Sequence, residues 1–227
     1  MTNSENQTLS VTDFQSLVST PFQGETNAIC WPRVLLGDFS EIVGQVKMNG
    51  NITELRLEEL RSFSLSSRGQ LARDTLLNDF SLLEAHGANP VLNVIKSYDR
   101  DDFFFPTDVY SFHVDRSPIP VDTILCTYQG ASSDILPNSQ ANQKILIPEI
   151  RDALYELYSG EEKDFESFLS EHFFDLHYQA DPEAKLVNLG QGNVWRLAVD
   201  HPASNVLPCI HRAPEEIEEI PRLLMIC

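Results

Sequence analysis

From residue 90 onward, the chain consists mainly of short segments with a period of two residues, separated by turn-forming residues. This period is typical of β-strands. The predicted strands are Pro90–Tyr98, Val109–Asp115, Thr123–Tyr128, Lys144–Ile147, Leu186–Leu189, Asn193–Val199, Val206–His211 and Arg222–Ile226. Pro208 cannot donate a ladder hydrogen bond, so the strand that contains it is predicted to lie at an edge or to begin late.

A helical period is clearest between residues 66 and 87. Ser66 or Ser67 is predicted to cap this helix, which ends near His86 and Gly87. Its apolar stripe consists of Leu76, Leu77, Phe80 and Leu83. Asp79 falls between the positions of the stripe and is expected to face solvent. The predicted role of this helix is to pack outside a sheet.

Strands and helices do not alternate along the chain, which disfavours a parallel α/β sheet. We predict a mainly β fold of the α+β class, a jelly roll or double-stranded β-helix with packing helices. Residues 1–28 are polar and are predicted to form an N-terminal arm, and residues 29–227 a single domain. Residues from about 148 to 180 are predicted to be a helical insert, and Glu149 to Lys185 includes 11 acidic and 3 basic residues.

Charge and cysteine usage limit the partners of this chain. The formal net charge is −18, which disfavours binding of a nucleic-acid backbone. No run of 18 apolar residues predicts a membrane span, and residues 1–28 lack the features of a secretory signal. The four cysteines form no C-x-x-C pair, so reduced thiols in the cytoplasm are expected. A small-molecule substrate is compatible with all of these features.

The segment Phe112-His113-Val114-Asp115 suggests a metal site. Because side chains alternate along a strand, His113 and Asp115 are expected on one face, and Phe112 and Val114 on the other. An imidazole and a carboxylate are two of the three ligands of a facial 2-His-1-carboxylate iron site. The alternative is a hydrogen-bonded strand histidine followed by an aspartate that caps a turn.

A third ligand is expected further along the chain. His211 lies 96 positions after Asp115 and is followed 11 positions later by Arg222. His201 is the main alternative third ligand, and it precedes a proline in a predicted loop. His172 and His177 lie in or just after the acidic helical region, where solvated histidines are ordinary.

The order H-x-D … G-x-x-W … H-R … R-L-L resembles the Fe(II)/2-oxoglutarate-dependent oxygenases, which have the double-stranded β-helix or cupin-like fold. The chain also resembles a bacterial family of unknown function with W-x-R, F-H-x-D, T-Y-x-G and H-R-[SA]-P motifs. These motifs correspond to Trp31/Arg33, Phe112–Asp115, Thr127–Gly130 and His211–Pro214. The resemblance covers roughly residues 29–227, although the motifs occupy a small share of them.

The resemblance implies Fe(II) as the metal and 2-oxoglutarate as a co-substrate. It implies that His113, Asp115 and His211 are the iron ligands and that Arg222 binds the distal carboxylate of 2-oxoglutarate. A guanidinium offers a planar fork that matches a carboxylate. Arg212 is the alternative anchor, but it is adjacent to His211 and is expected on the opposite face of the strand.

Three aromatic residues are candidates for the cofactor pocket. Tyr128 and Trp195 are the first two, and Tyr110 is an alternative; core packing is the competing interpretation for each. One feature departs from the family pattern, since many of these oxygenases carry Ser or Thr two residues after the arginine. Here that position is Leu224.

The predicted function is that of a non-haem iron dioxygenase, an oxidoreductase, acting on an unknown small molecule or side chain. The first alternative keeps the fold and a metal site but predicts a cupin-like isomerase or hydrolase with another metal. The second is a ligand-binding β-helix module without catalytic activity.

Overall fold

The computed structural model describes residues 7–227, and it is mainly β-sheet with packing helices, as expected for the predicted α+β class. The strands are β1 (Thr8–Ser10), β2 (Ala28–Trp31), β3 (Ile52–Glu54), β4 (Val91–Ile95), β5 (Phe112–His113), β6 (Asp122–Gln129), β7 (Asp134–Ile135), β8 (Ala141–Gln143), β9 (His177–Ala180), β10 (Val187–Asn188), β11 (Val194–Ala198), β12 (His211–Arg212) and β13 (Arg222–Ile226). The α-helices are α1 (Phe14–Ser19), α2 (Phe39–Gln45), α3 (Leu57–Ser62), α4 (Ser67–Ala85), α5 (Pro148–Leu157) and α6 (Phe165–Glu171).

The strands form two sheets. The larger sheet has the order β1-β2-β11-β6-β13-β4-β3, and the smaller has the order β10-β7-β12-β5-β9-β8. Every pairing between these strands is antiparallel except that of β1 with β2. None of the helices described in residues 7–227 is long and apolar enough to cross a membrane.

Strand β6 in the middle of the larger sheet is buried on both faces. Ile124, Cys126 and Tyr128 belong to the core between this sheet and the helices that include α4. Leu125 points the other way and packs with Trp195 on the face toward the smaller sheet. Because both faces are buried, apolar residues in β6 occupy consecutive positions and do not alternate with polar ones.

Helix α4 begins and ends where the sequence predicts. The Ser66 hydroxyl accepts a hydrogen bond from the Gly69 amide, and Gly87 follows the helix with φ of 92°. Leu76 and Leu83 are buried in the core. The prediction that Asp79 faces solvent was wrong, because Asp79 is only 4% exposed and pairs with Arg33.

The described part of the predicted N-terminal arm packs on the larger sheet. In residues 7–28, β1 pairs with β2, and α1 buries Leu17 completely. The Asp13 carboxylate caps α1 by accepting from the Ser16 amide. A few apolar residues at helical spacing therefore dock a segment that is polar on average; residues 1–6 lie outside the described part.

Several element boundaries differ from the predictions. Strand β5 contains two residues rather than the whole of Val109–Asp115. Lys144–Leu146 is a 3-10 helix rather than a strand. Strand β12 begins only at His211, as the late start expected from Pro208 allows, and it lies inside the smaller sheet. The helical insert was predicted to extend to about residue 180, but it ends before β9, which begins at His177 and belongs to the smaller sheet.

Candidate metal centre

A cavity of about 240 Å³ lies between the two sheets and contains the predicted metal ligands and the predicted anchor. Its lining consists of Ile52, Asn93, Ile95, Tyr98, Val109, His113, Asp115, Leu125, Ser133, His211, Ala213, Arg222, Leu224 and Ile226. As predicted, His113 and Asp115 share a face, whereas Phe112 and Val114 pack in a separate core cluster.

The two histidines come from paired strands and are oriented in the same way. His113 and His211 are register partners in β5 and β12, and their ring centroids are 4.7 Å apart. His113 Nδ1 lies 2.7 Å from the Ser111 carbonyl oxygen, and His211 Nδ1 lies 3.2 Å from that of Cys209. Because a carbonyl oxygen only accepts, each Nδ1 is the protonated nitrogen, and each Nε2 is the nitrogen that a metal ion would bind.

Asp115 follows β5 and is held by its backbone and its side chain. The Asp200 amide donates to the Asp115 carbonyl oxygen over 2.8 Å, and Thr123 Oγ1 donates to Asp115 Oδ2 over 2.5 Å. Asp115 Oδ2 is 3.8 Å from His211 Nε2. One ligand atom of each of the three residues lies within 4.8 Å of the other two, so His113, Asp115 and His211 could hold a metal ion.

The surroundings favour the protonation states that metal ligands need. Burial, and then the neighbouring His211, lower the pKa of His113 to about 4, so its imidazole is neutral at pH 7. Burial alone would raise the pKa of Asp115, but His211, the Thr123 hydroxyl and His113 together lower it. A neutral imidazole and an ionised carboxylate are the forms that bind divalent metals.

Arg222 lies at the start of β13 in the same cavity and is 6% exposed. Its guanidinium donates to Thr127 Oγ1 and Ser133 Oγ, each over 2.9 Å, and Tyr98 Oη lies 3.5 Å away. No carboxylate in residues 7–227 lies within ion-pair distance of it. Burial lowers the pKa of Arg222, and an unpaired buried guanidinium needs an anion to offset its desolvation.

The other predicted cofactor residues lie outside the cavity lining. Tyr128 is on the opposite face of the larger sheet, where its hydroxyl donates to Asp79 Oδ2 over 2.7 Å. Trp195 packs between the sheets and donates to the Leu189 carbonyl oxygen. Arg212 points away from His211 and pairs with Asp134 at 3.1 Å.

Tyr110, the alternative aromatic residue, contacts the cavity only through a neighbour. Its hydroxyl accepts from the Tyr98 amide over 2.9 Å, and its ring meets that of Tyr98 edge-on. Tyr98 itself lines the cavity. Tyr110 therefore supports the wall without forming it.

The alternative histidines do not join the three-residue group. His172 is exposed and follows α6, and His201 accepts a hydrogen bond from the Ala203 amide. His177 was expected to be solvated but is buried in β9 as the register partner of His113. Their ring centroids are 6.1 Å apart.

Several polar residues of the site were missed by the sequence predictions. Thr123 and Thr127 lie on β6, and Ser133 lies in the turn after it; their hydroxyls contact Asp115 and Arg222. Thr127 lies two positions from Leu125, so the alternation of β6 would have placed both on the inner face. Asn93 also lines the cavity, and its amide is a further polar group there.

Comparison of the chain with protein-family models, with curated proteins and with solved structures finds no match. The geometry of the cavity therefore carries the functional inference.

Proposed function

We propose that this protein is an Fe(II)/2-oxoglutarate-dependent oxygenase with a double-stranded β-helix fold. The observation that carries the proposal is the presence of two different binding features in one 240 Å³ cavity. One is the His113, Asp115 and His211 group, and the other is the unpaired buried guanidinium of Arg222.

The strand order supports the proposed fold. From β4 to β7 the chain alternates between the larger and the smaller sheet, and from β10 to β13 it alternates again. These eight strands occupy adjacent positions, β11-β6-β13-β4 in one sheet and β10-β7-β12-β5 in the other. Two packed antiparallel sheets of four strands, between which the chain alternates, are typical of jelly rolls.

The donor set fits a divalent transition metal. Two imidazoles and one carboxylate on one side of an ion leave other positions open, which is the arrangement used by non-haem Fe(II) oxygenases. Nδ1 of each histidine is held by a carbonyl oxygen, which orients the ring for metal binding. The Thr123 hydroxyl similarly orients the carboxylate of Asp115.

Arg222 fits a small dicarboxylic acid. Thr127 and Ser133 accept from Nε and Nη2 and hold the guanidinium in place, which leaves its Nη1 group to donate to one carboxylate. Hydroxyls from β6 and the following turn thus stand near the guanidinium, although Leu224 replaces the Ser or Thr expected two residues after the arginine. The cavity is smaller than the 300–1,000 Å³ typical of sites for drug-sized ligands, which suits a small metabolite.

The apolar side chains of the cavity would exclude water from the reacting groups. Ile95, Leu125 and Leu224 line the wall formed by the larger sheet. When bound, iron and 2-oxoglutarate would supply the activation of dioxygen and the oxidation of a C–H bond of a second substrate. The chain itself would orient the metal ligands, bind the co-substrate through Arg222 and keep water out with the apolar cavity wall.

Conversion of 2-oxoglutarate to succinate tests the proposal. The purified protein is expected to form succinate only when Fe(II), 2-oxoglutarate and dioxygen are all present, with succinate measured by mass spectrometry. Activity that needs another metal and is indifferent to 2-oxoglutarate would instead favour a cupin-like isomerase or hydrolase. Absence of any stoichiometric metal after metal loading would favour a non-enzymatic binding module.

Replacement of Arg222 by methionine is expected to weaken 2-oxoglutarate binding by about 30-fold or more. Loss of one partner of a buried charge pair costs about 2–5 kcal/mol. The measurement is calorimetric titration of 2-oxoglutarate into anaerobic Fe(II)-loaded protein. Because Arg222 has no anionic partner without a ligand, the variant should fold at least as stably as the parent.

The matched control is Arg212→Met, which removes a guanidinium from β12 of the smaller sheet, outside the cavity lining. Its affinity for 2-oxoglutarate should stay within about twofold of the parent, since Arg212 pairs with Asp134 outside the cavity lining. Equal effects of the two substitutions would contradict the assignment of Arg222 as the anchor.

A further inference from the structure

Lys144 is a buried ammonium close to the candidate metal centre. It is 8% exposed and lies in the 3-10 helix Lys144–Leu146. Its Nζ donates to the Pro106 carbonyl oxygen and to Ser111 Oγ, each over 2.8 Å. In the described residues, no carboxylate lies within ion-pair distance of this ammonium.

Ser111 connects this ammonium to a predicted metal ligand. Its hydroxyl accepts from Lys144, and its carbonyl oxygen accepts from His113 Nδ1 over 2.7 Å. Ser111 itself is buried. Two atoms of one residue therefore hold the lysine on one side and the imidazole on the other.

The segment before β5 has little regular structure of its own, so its position depends on such contacts. Lys144 contacts it at three points, the Pro106 carbonyl, the Ser111 hydroxyl and the ring of Phe105, whose centroid is 5.1 Å from Nζ. Within the same segment, the Asp101 carboxylate accepts hydrogen bonds from the amide and hydroxyl of Thr107 and so links residues six positions apart. Lys144 thus ties the segment to the body of the smaller sheet.

Burial of this ammonium is costly without an ionic partner. Burial lowers the pKa of Lys144, and only the more distant Asp101 and Asp108 oppose that effect. An apolar side chain could fill the same space at less cost, but it could not donate two directed hydrogen bonds. The free-energy cost of burying the Lys144 ammonium is therefore consistent with a requirement that Ser111 be held in one position by a hydrogen bond.

We propose that Lys144 is a positioning residue that acts through Ser111 to orient His113 for metal binding. This inference rests on the proposed function, because it assumes that His113 binds the metal. Removal of a residue that orients a metal ligand typically weakens metal binding by about 10–100-fold.

The test is a double-mutant cycle on metal affinity, with Co²⁺ as the probe and calorimetry as the readout. Lys144→Met and Ser111→Ala are each expected to weaken Co²⁺ binding by about 10–100-fold. The double variant should bind Co²⁺ almost as tightly as the weaker-binding single variant, since both substitutions break the same connection between Lys144 and Ser111.

The visible d–d spectrum of bound Co²⁺ should change in both single variants, because it reports the ligand geometry. Lys185→Met, at an exposed position, is the matched control and should leave affinity and spectrum unchanged.

The outcomes separate this inference from the proposed function. If the parent protein does not bind Co²⁺, the assignment of His113, Asp115 and His211 as a metal site is wrong. If the parent binds and a folded Lys144→Met variant keeps its affinity and spectrum, Lys144 only stabilises the fold and the inference is overturned. Should Lys144→Met fail to fold, Ser111→Ala alone decides: an unchanged affinity and spectrum overturn the inference, and a loss of about tenfold or more with a changed spectrum supports it.

Discussion

Replacement of His113 or of His211 by alanine is expected to weaken Fe(II) binding by more than about 100-fold, beyond the upper range for residues that only orient a ligand. Each substitution removes one of three atoms that lie within 4.8 Å of one another and leaves a site with two protein ligands. The measurement is metal content after anaerobic loading with Fe(II), together with calorimetric titration. Both variants should remain folded, because the two side chains line a cavity.

His172→Ala is the matched control for these variants. It also removes an imidazole, but from an exposed position after α6 and outside the cavity lining. Its Fe(II) affinity should equal that of the parent. If His113→Ala binds Fe(II) as tightly as the parent does, the ligand assignment is wrong.

The second large effect concerns stability rather than metal binding. Asp79→Ala is expected to lower the free energy of unfolding by about 3–5 kcal/mol, the usual cost of removing one partner from a buried ion pair. Asp79 Oδ1 is 2.7 Å from Arg33 Nη1, and Oδ2 accepts from the Tyr128 hydroxyl over 2.7 Å. The substitution therefore removes the carboxylate partner of the Arg33 guanidinium and the oxygen acceptor of the buried Tyr128 hydroxyl. Chemical denaturation of the metal-free protein measures the change.

Asp74→Ala lies on the same helix at an exposed position and serves as the control. It should change the free energy of unfolding by no more than about 0.5 kcal/mol. A loss of less than about 1 kcal/mol in Asp79→Ala would mean that Arg33 finds other partners or gains solvent access.

The predictions that succeeded rest on local periodicity. The alternation around His113 places it and Asp115 on one face, and that rule needs no knowledge of the rest of the fold. The spacing of apolar residues between Ser66 and Gly87 similarly predicts α4 with its cap and its end. That His211 and Arg222 would lie in the same cavity as His113 was predicted only through a family resemblance, because strand pairing over about 100 residues leaves no local signal.

The predictions that failed depend on what packs against each residue. Tyr128 and Thr127 are adjacent in β6, but both faces of this strand are buried, so hydrophobicity does not tell which face meets the cavity. Asp79 and His177 are polar residues whose burial is determined by neighbours distant in sequence, Arg33 for the former and His113 for the latter. Their positions follow from the tertiary structure alone.

The placement of β13 between β4 and β6 has a consequence for folding kinetics. Arg222 pairs with Ile95, 127 residues earlier, and Leu224 pairs with Thr127, 97 residues earlier. Contacts of such long range require closure of large loops and slow the rate-limiting step of folding. Until β13 inserts, β4 and β6 each present an unpaired edge, which is where aggregation begins in slow-folding β-proteins. Since β13 also carries Arg222, we expect the proposed affinity for 2-oxoglutarate to appear during refolding only after β13 has paired with β4 and β6, together with protection of the central sheet from hydrogen exchange.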